Sequence, residues 1–439
     1  MKEILEQIRS YVDQKNSDKT WVPGKDFVNY AGPYFSADEI VSAAESLMGG
    51  WLVMGAKCLK FERKFPKQFG KNHGILTNSG SSSNLLMMAS LTSKRGYHLP
   101  RGTKVLMPIA GFPTTLNPTL QVGFEPVFID IELDTLNLNT DQLEQKIKEN
   151  PDIRVITFAH VLGNPPNMDA VMDVVNKYNL LLLEDCCDAL GSTYNDKPLG
   201  SFGIMSSCSF YPAHHITMGE GGYVACNTYE QEVILRSLRE WGRGCYCVGP
   251  EANKLKCGTC GKRFDEWIPT MPGEIFDHKY VYDEIGYNLK PIEVQGAMGL
   301  HQLEKLDEIH SLRRRNYALL FDIYKKYEEF FHLPRPQANS NPSWFAFPLT
   351  IKDGAPFTRS DIVDYLEENL IQTRPYFAGN IMLQPAYSHI MDPKKAKADF
   401  PVATKVMTDT FFHGTSPVIT PEQIKYIGEK VDGFMSLYI

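Results

Sequence analysis

Several signals that assign a protein at sight are missing from this sequence. No apolar run approaches the ~20 residues that a membrane helix requires, so a membrane span is not expected. There is no G-x-x-x-x-G-K-[ST] loop, no G-x-G-x-x-G and no H-E-x-x-H. P-loop, dinucleotide-fingerprint and zincin chemistry therefore have no support here. Positive charge is in deficit: 45 Lys and Arg against 52 Asp and Glu leave −7 at neutral pH, which argues against a broad nucleic-acid surface. Internal repeats and low-complexity tracts are absent. The opening MKEILEQIRSYVDQK mixes charges into an apolar stripe at helical spacing. It reads as a surface helix without the apolar core of a signal peptide, and a cytoplasmic location is the expectation.

What is present is a soluble-type composition, 43% hydrophobic and 22% charged over 439 residues, enough for two domains. Short apolar runs alternate with helical stretches. KVLMPIA (104–110), EPVFIDI (125–131), IRVITFAHV (153–161) and NLLLLEDCC (179–187) each read as a buried strand. Between them lie helical segments such as NTDQLEQKIKEN, for which Asn139 or Thr140 is the expected N-cap. That alternation predicts an α/β fold with a mostly parallel sheet covered on both faces, whose ligands collect at the carboxyl ends of the strands. From Pro291 to His332 the pattern turns long and helical, and WFAFPLTI is the clearest later strand. The expected organisation is an N-terminal arm over 1–30, a large domain over 31–302 and a smaller C-terminal α+β domain over 303–439. The basic run Arg313 to Arg315 reads as a solvated helix face.

Three stretches could carry chemistry. NSGSSSNLL, from Asn78 to Leu86, is a small-residue turn into a helix, where free backbone N–H groups favour a phosphate; a plain N-capped helix also accounts for it. LLLLEDCCDALG ends a buried strand on acids, and alternation puts Asp185 and Cys187 on one face, Glu184 and Cys186 on the other. A buried Asp needs a cationic or hydrogen-bonding partner. A protonated pyridine nitrogen would serve, and so would backbone groups. SFYPAHHITMGEGG, from Ser209 to Gly222, follows an apolar run and carries two adjacent histidines.

In this order, and with GGWLVMGAKCLKFERKF, PIAGFPTTLNP, IGYNLKPIEVQGAMGLHQLEKLDE and TRPYFAGN, these stretches resemble the DegT/DnrJ/EryC1/StrS family of sugar aminotransferases from about Phe27 to the C-terminus. The resemblance implies the aspartate aminotransferase fold (pyridoxal phosphate fold type I) and a homodimer with shared active sites. It implies that Gly80, Ser81 and Ser82 cradle the cofactor phosphate with Ser209, that Phe112 stacks on the pyridine ring, and that Asp185 holds the pyridinium nitrogen. Asp188 falls where many members carry Gln or His near the ring hydroxyl. Asn288 would reach the phosphate of the partner subunit, and Arg374 would meet the sugar or diphosphate.

The family's catalytic lysine falls on His214. A lysine bonds covalently to pyridoxal phosphate; imidazole cannot. The cofactor would then be held non-covalently, as pyridoxamine phosphate, which condenses with a keto sugar as a ketimine. With its ordinary pKa near neutrality, His214 would take a proton from the cofactor methylene. The resemblance therefore implies dehydration at C3 of a nucleotide-linked 4-keto-6-deoxyhexose such as CDP-4-keto-6-deoxyglucose, in place of amino transfer. Within the family one kind of sugar 3-dehydratase recharges its cofactor from glutamate. Another carries a 2Fe–2S cluster and takes electrons from an NAD(P)H-dependent flavin iron–sulfur reductase.

The nine cysteines bear on that choice. WGRGCYCVGPEANKLKCGTCGKRFD resembles the cluster loop of the iron–sulfur members, which implies Cys187, Cys245, Cys247 and Cys260 as the four thiolate ligands. The gap from Cys247 to the cysteine of CGKRF is longer than in those members, and Cys257 competes for the fourth place. Cys245, Cys247, Cys257 and Cys260 alone would also make a zinc knuckle. That is the pattern of a non-enzymatic relic of an aminotransferase.

Overall fold

The computed structural model describes residues 1–18, 20–245, 247 and 254–439. Its centre is a seven-stranded sheet made of β1 (His73–Thr77), β2 (Lys104–Pro108), β3 (Glu125–Ile129), β4 (Ile153–Ala159), β5 (Leu181–Asp185), β6 (Met205–Ser209) and β7 (Gly222–Cys226). The spatial order is β1-β7-β6-β5-β4-β2-β3. β7 runs antiparallel to both of its neighbours, and the remaining pairs are parallel. The four strands expected from the apolar runs are β2 to β5.

Strand alternation sorts the side chains into two cores. Val105, Met107, Val155, Leu183 and Val224 pack with Leu86, Leu116 and Ile234 on one face. Leu106, Ile156, Leu182, Cys208 and Ala225 pack with Phe61, Ile147 and Val171 on the other. A parallel sheet buried on both faces needs both layers, which explains why the strands read as continuous apolar runs.

A second sheet is antiparallel: β8 (Phe331–His332), β9 (Ala346–Ile351), β10 (Arg374–Pro375) and β11 (Thr410–Gly414), in the order β8-β9-β11-β10. Phe347, Leu349 and Phe411 pack there with Leu320, Tyr324, Ile427 and Val431 in a third core. Val28 joins that core through a bridge to Ile371. The helix Lys2–Ser17 has no buried residue and is tied to the helix Ala37–Met48 by Arg9–Asp38 at 2.7 Å. We propose the domain boundary near residue 303 and the arm over residues 1–30: the third core is built from residues beyond 303 together with Val28, although Leu306, Ile309, Phe345, Tyr376 and Phe412 pack into the first two cores.

Some local expectations shift. The long helical stretch is two helices, Glu293–Glu304 and Leu306–Tyr324, that meet at Lys305. The Lys305 ammonium is held by Ser36 Oγ at 2.8 Å and Glu39 Oε1 at 2.6 Å, contacts that periodicity cannot show. Asn139 caps a 3-10 turn, Thr140–Gln142, ahead of the helix Leu143–Glu149. The run Arg313 to Arg315 is not a solvated face. Arg313 is fully buried, Arg314 donates to the carbonyls of Pro342 and Gly191, and Arg315 to Asn316 Oδ1. Among the described residues no helix is long and apolar enough to cross a membrane.

Candidate functional site

The carboxyl ends of β4, β5 and β6 open into a cavity of about 1100 Å³. Gly80, Ser81, Phe112, Asp185, Cys187, Asp188, Ser209, His214 and Arg374 all line it. Ser82, Asn288, Cys245, Cys247 and Cys260 do not.

One end of the cavity is the start of the helix Gly80–Ser90. Ser79 caps it, accepting from the Ser82 N–H, while the Ser82 hydroxyl lies 3.0 Å from Ser79 Oγ. A Cβ on Gly80 would stand 2.4 Å from the Ser209 Cβ. Only glycine lets the turn and the β6 end approach this closely, leaving backbone N–H groups and a hydroxyl round one small space. That is a cradle for an anionic group.

At the floor lies Asp185. Its Oδ2 accepts from Asn84 Nδ2 at 2.7 Å and Thr115 Oγ1 at 2.8 Å. Its Oδ1 accepts from the Cys187 N–H at 3.1 Å and Ser207 Oγ at 3.3 Å. Four donors satisfy the buried carboxylate and fix its direction. Asn84, Thr115 and Ser207 come from three separate elements, and no local pattern marks them as partners of Asp185. The donor set and the cradle fit a phosphorylated pyridine, whose anion the helix start would hold and whose ring nitrogen Asp185 would meet. Phe112 is half-exposed and stands edge-on to Phe377 at 5.8 Å.

His214 occupies the wall. Its ring lies 5.3 Å from that of Phe345, and its buried Nδ1 stands 3.5 Å from Asp188 Oδ1, too far for a good hydrogen bond. Burial first, and the Arg313 charge second, push the imidazole down to about 4, against an opposing pull from Asp185. His214 is thus neutral across the physiological range and able to accept a proton. Burial pushes the Asp188 carboxyl up to about 7, although it accepts the Leu162 N–H at 3.2 Å.

That shift has a sign. A carboxyl raised in the folded state binds its proton there and loses it when unfolded. Between its ordinary pKa and about 7, rising pH therefore removes stability. Asp188→Asn is expected to raise the melting temperature at pH 8 by several degrees and to leave it nearly unchanged at pH 4. A thermal scan at both pH values checks this, and an equal effect at both would refute it.

The rest of the cavity comes from the second sheet and its loops: Phe345, Phe377 and Phe412, with Tyr30 from the arm. The Arg374 guanidinium lies 4.4 Å over the Tyr30 ring, and its Nη1 donates to the Thr373 carbonyl at 2.6 Å. Asn288 is exposed and does not line the cavity; its Oδ1 accepts from Lys290 Nζ at 2.7 Å.

Cys245, Cys247, Cys257 and Cys260 do not line the cavity. A Cβ on Gly258 would stand 3.1 Å from Cys247 Sγ and 3.8 Å from Cys260 Sγ, so these two sulfurs flank one glycine. Burial opposes ionisation of Cys247, but hydrogen bonds from Thr259 and Cys260 outweigh it and bring the thiol down to about 7. Cys245 contacts Cys247, and Cys257 is exposed. Behind them Arg263 pairs with Asp277, and Trp267 stacks on His278 at 3.6 Å. Among the described residues these cysteines do not draw together within 4.8 Å as a zinc tetrahedron requires. The one set that does, His160, Glu184 and Cys186, is satisfied internally: Glu184 accepts from His160 Nε2 and from the N–H groups of Gly200 and Gly203. Residues 246 and 248–253 of the cysteine loop lie outside the described residues.

Comparison with known proteins places this geometry. The model of the DegT/DnrJ/EryC1/StrS aminotransferase family matches residues 33–432. The lipopolysaccharide biosynthesis protein RfbH of Salmonella typhimurium is 39% identical over 437 residues, covering 99% of this chain and 98% of that protein. The dTDP-4-dehydro-2,6-dideoxy-D-glucose 3-dehydratase of Saccharopolyspora spinosa is 39% identical over 436 residues, 99% of this chain and 92% of that one. A crystal structure of GDP-4-keto-6-deoxymannose-3-dehydratase with a trapped PLP-glutamate geminal diamine superposes with a TM-score of 0.78 at 27% identity, over 92% of this chain and 99% of that one.

Proposed function

This chain belongs to the DegT/DnrJ/EryC1/StrS aminotransferase family, and we propose that within it the protein is a 3-dehydratase of nucleotide-linked 4-keto-6-deoxyhexoses, with CDP-4-keto-6-deoxyglucose as the expected substrate. The observation that carries this is His214: a buried imidazole where the resemblance places the family's lysine, in a cavity that Gly80, Ser81, Phe112, Asp185 and Ser209 also line. The two full-length relatives, one a 3-dehydratase and one a lipopolysaccharide biosynthesis protein, support the same reading.

When bound, pyridoxamine phosphate supplies the amine that condenses with the keto group and the ring that accepts electrons. Gly80, Ser81 and Ser209 line the cradle that would hold the phosphate, whereas Ser82, expected there, does not line the cavity. Asp185, locked by its four donors, keeps the ring nitrogen protonated. His214 accepts the proton whose loss lets the C3 hydroxyl leave. Asp188 lies beside the imidazole and takes up part of the resulting charge. Arg374, braced by Tyr30, faces the cavity as the cation for the diphosphate or sugar.

The net reaction replaces the C3 hydroxyl by hydrogen. It consumes NAD(P)H and a proton and releases water, so two electrons must enter. We propose that Cys187, Cys245, Cys247 and Cys260 would hold a 2Fe–2S cluster, which would supply electrons one at a time when reduced by a flavin iron–sulfur reductase. The lowered thiol of Cys247 and its contacts with Cys245 and Cys260 favour Cys260 over the exposed Cys257 as the fourth ligand. Cys187 lines the cofactor cavity, where a cluster ligand would bring electrons to the ring. A homodimer is part of the reading. Leu47, Met48, Trp51, Leu52, Val53 and Ile292 form an exposed apolar strip joined by the Val53–Ile292 bridge, a surface suited to a second copy.

A second reading has its own observation: the structural relative with PLP and glutamate trapped together. It makes this chain a cluster-free dehydratase recharged by glutamate. Turnover separates the two. Anaerobically purified protein with pyridoxamine phosphate and CDP-4-keto-6-deoxyglucose is expected to yield a 3,6-dideoxy-4-keto sugar only with NADH and reductase. Sustained turnover with glutamate alone would move the assignment to the second reading. No change of any nucleotide-linked keto sugar would leave a non-enzymatic relic.

A further inference from the structure

Arg313, on the helix Leu306–Tyr324, is among the largest side chains with no exposed surface. Its Nη2 donates to the carbonyls of Ala213 at 3.2 Å and His214 at 3.0 Å. Its Nη1 donates to those of Trp344 at 3.3 Å and Phe345 at 3.1 Å. The partners are carbonyls, and the carboxylate that bears on it, Asp188, acts through space. Burying a guanidinium against neutral oxygens is costly, so the chain gives up stability to keep it there.

Its place explains the cost. Ala213 and His214 belong to the loop after β6, while Trp344 and Phe345 lead into β9 of the other sheet. One rigid fork joins both backbones and so sets the distance from the imidazole to the Phe345 ring across the cavity wall. A lysine could not span four carbonyls, because it presents a single point of charge. The same fork puts a fixed positive charge behind a base. The other titratable groups facing His214 are Asp185 and Asp188 from the β5 end, and Tyr211 and His215 from its own loop. His310 stands behind His215 with its ring 5.8 Å away.

We propose that Arg313 is the positioning residue of His214: its guanidinium clamps the histidine loop to the Trp344–Phe345 segment and aims the imidazole into the cavity. The inference rests on the reading of His214 as the base.

The test uses cofactor-loaded Arg313→Lys and Arg313→Met proteins. Arg313→Lys keeps the charge and loses the fork. It is expected to lower kcat at least ~10-fold with KM within ~3-fold, and to leave the His214 titration in place. That titration is followed by imidazole nitrogen NMR in substrate-free protein and assigned with His214→Asn. Arg313→Met loses the charge as well, and is expected to raise the His214 midpoint by about one pH unit or more. Wild-type kcat in Arg313→Lys, or an unmoved midpoint in folded Arg313→Met, overturns the proposal. Should Arg313→Met fail to fold, the kcat-against-KM split in Arg313→Lys decides alone. A wild type inert toward every keto sugar would sink the proposed function, while the NMR titration would still decide the role of Arg313.

Discussion

His214→Lys is expected to abolish dehydration and to make the cofactor covalently bound. A general base contributes ~10²–10⁴-fold to rate, so turnover of the keto sugar should fall by about three orders of magnitude. The gained property follows from the same surroundings. Burial and the Arg313 charge push the imidazole down to about 4. They would disfavour an ammonium at that position in the same way, leaving a neutral amine. A neutral amine over the aldehyde of pyridoxal phosphate attacks it. After borohydride treatment the variant should carry the cofactor's mass on the peptide holding residue 214, and the wild type should not. Undiminished dehydration in the variant would remove His214 from its assigned role, whatever the mass spectrum showed.

The positions that the sequence made legible share one property: each is decided by its own neighbours in the chain. The apolar runs of β2 to β5 are strands because both faces are buried, and Asp185 sits at a ligand position because β5 ends there. Gly80 and Ser209 are likewise local features of two turns, although their close approach is not. The residues that were missed act over long sequence separations. Asn84, Thr115 and Ser207 converge on one carboxylate from three elements. Phe345, Phe377 and Phe412 reach the cavity only because the second sheet folds back over it. Arg313 looked like part of a solvated triplet, since a basic run on a helix usually is one. Nothing local announces that its fork meets the carbonyls of residues about a hundred positions earlier.

Replacing Cys247 by serine is expected to separate the two halves of the proposed chemistry. The cluster reading requires four thiolates, and Cys247 contacts both Cys245 and Cys260, with its own thiol brought down to about 7. A serine hydroxyl keeps the shape and loses the soft, readily ionised sulfur. Iron and acid-labile sulfide should fall from about two each per chain, the content of a 2Fe–2S centre, to a small fraction of that. NADH-dependent formation of the dideoxy product should fall with them, by at least ~100-fold. The cavity end of the site should persist, because no cavity-lining group is altered. Pyridoxamine phosphate should still bind with wild-type affinity, and the proton step at His214 should survive as solvent-deuterium uptake into the cofactor in the presence of keto sugar. Cys257→Ser is the control: with its side chain exposed, it should keep metal and turnover. Full iron content and turnover in Cys247→Ser would remove the cysteine segment from the electron path. Loss of metal in Cys257→Ser with its retention in Cys260→Ser would exchange those two in the ligand set and leave the rest of the assignment standing.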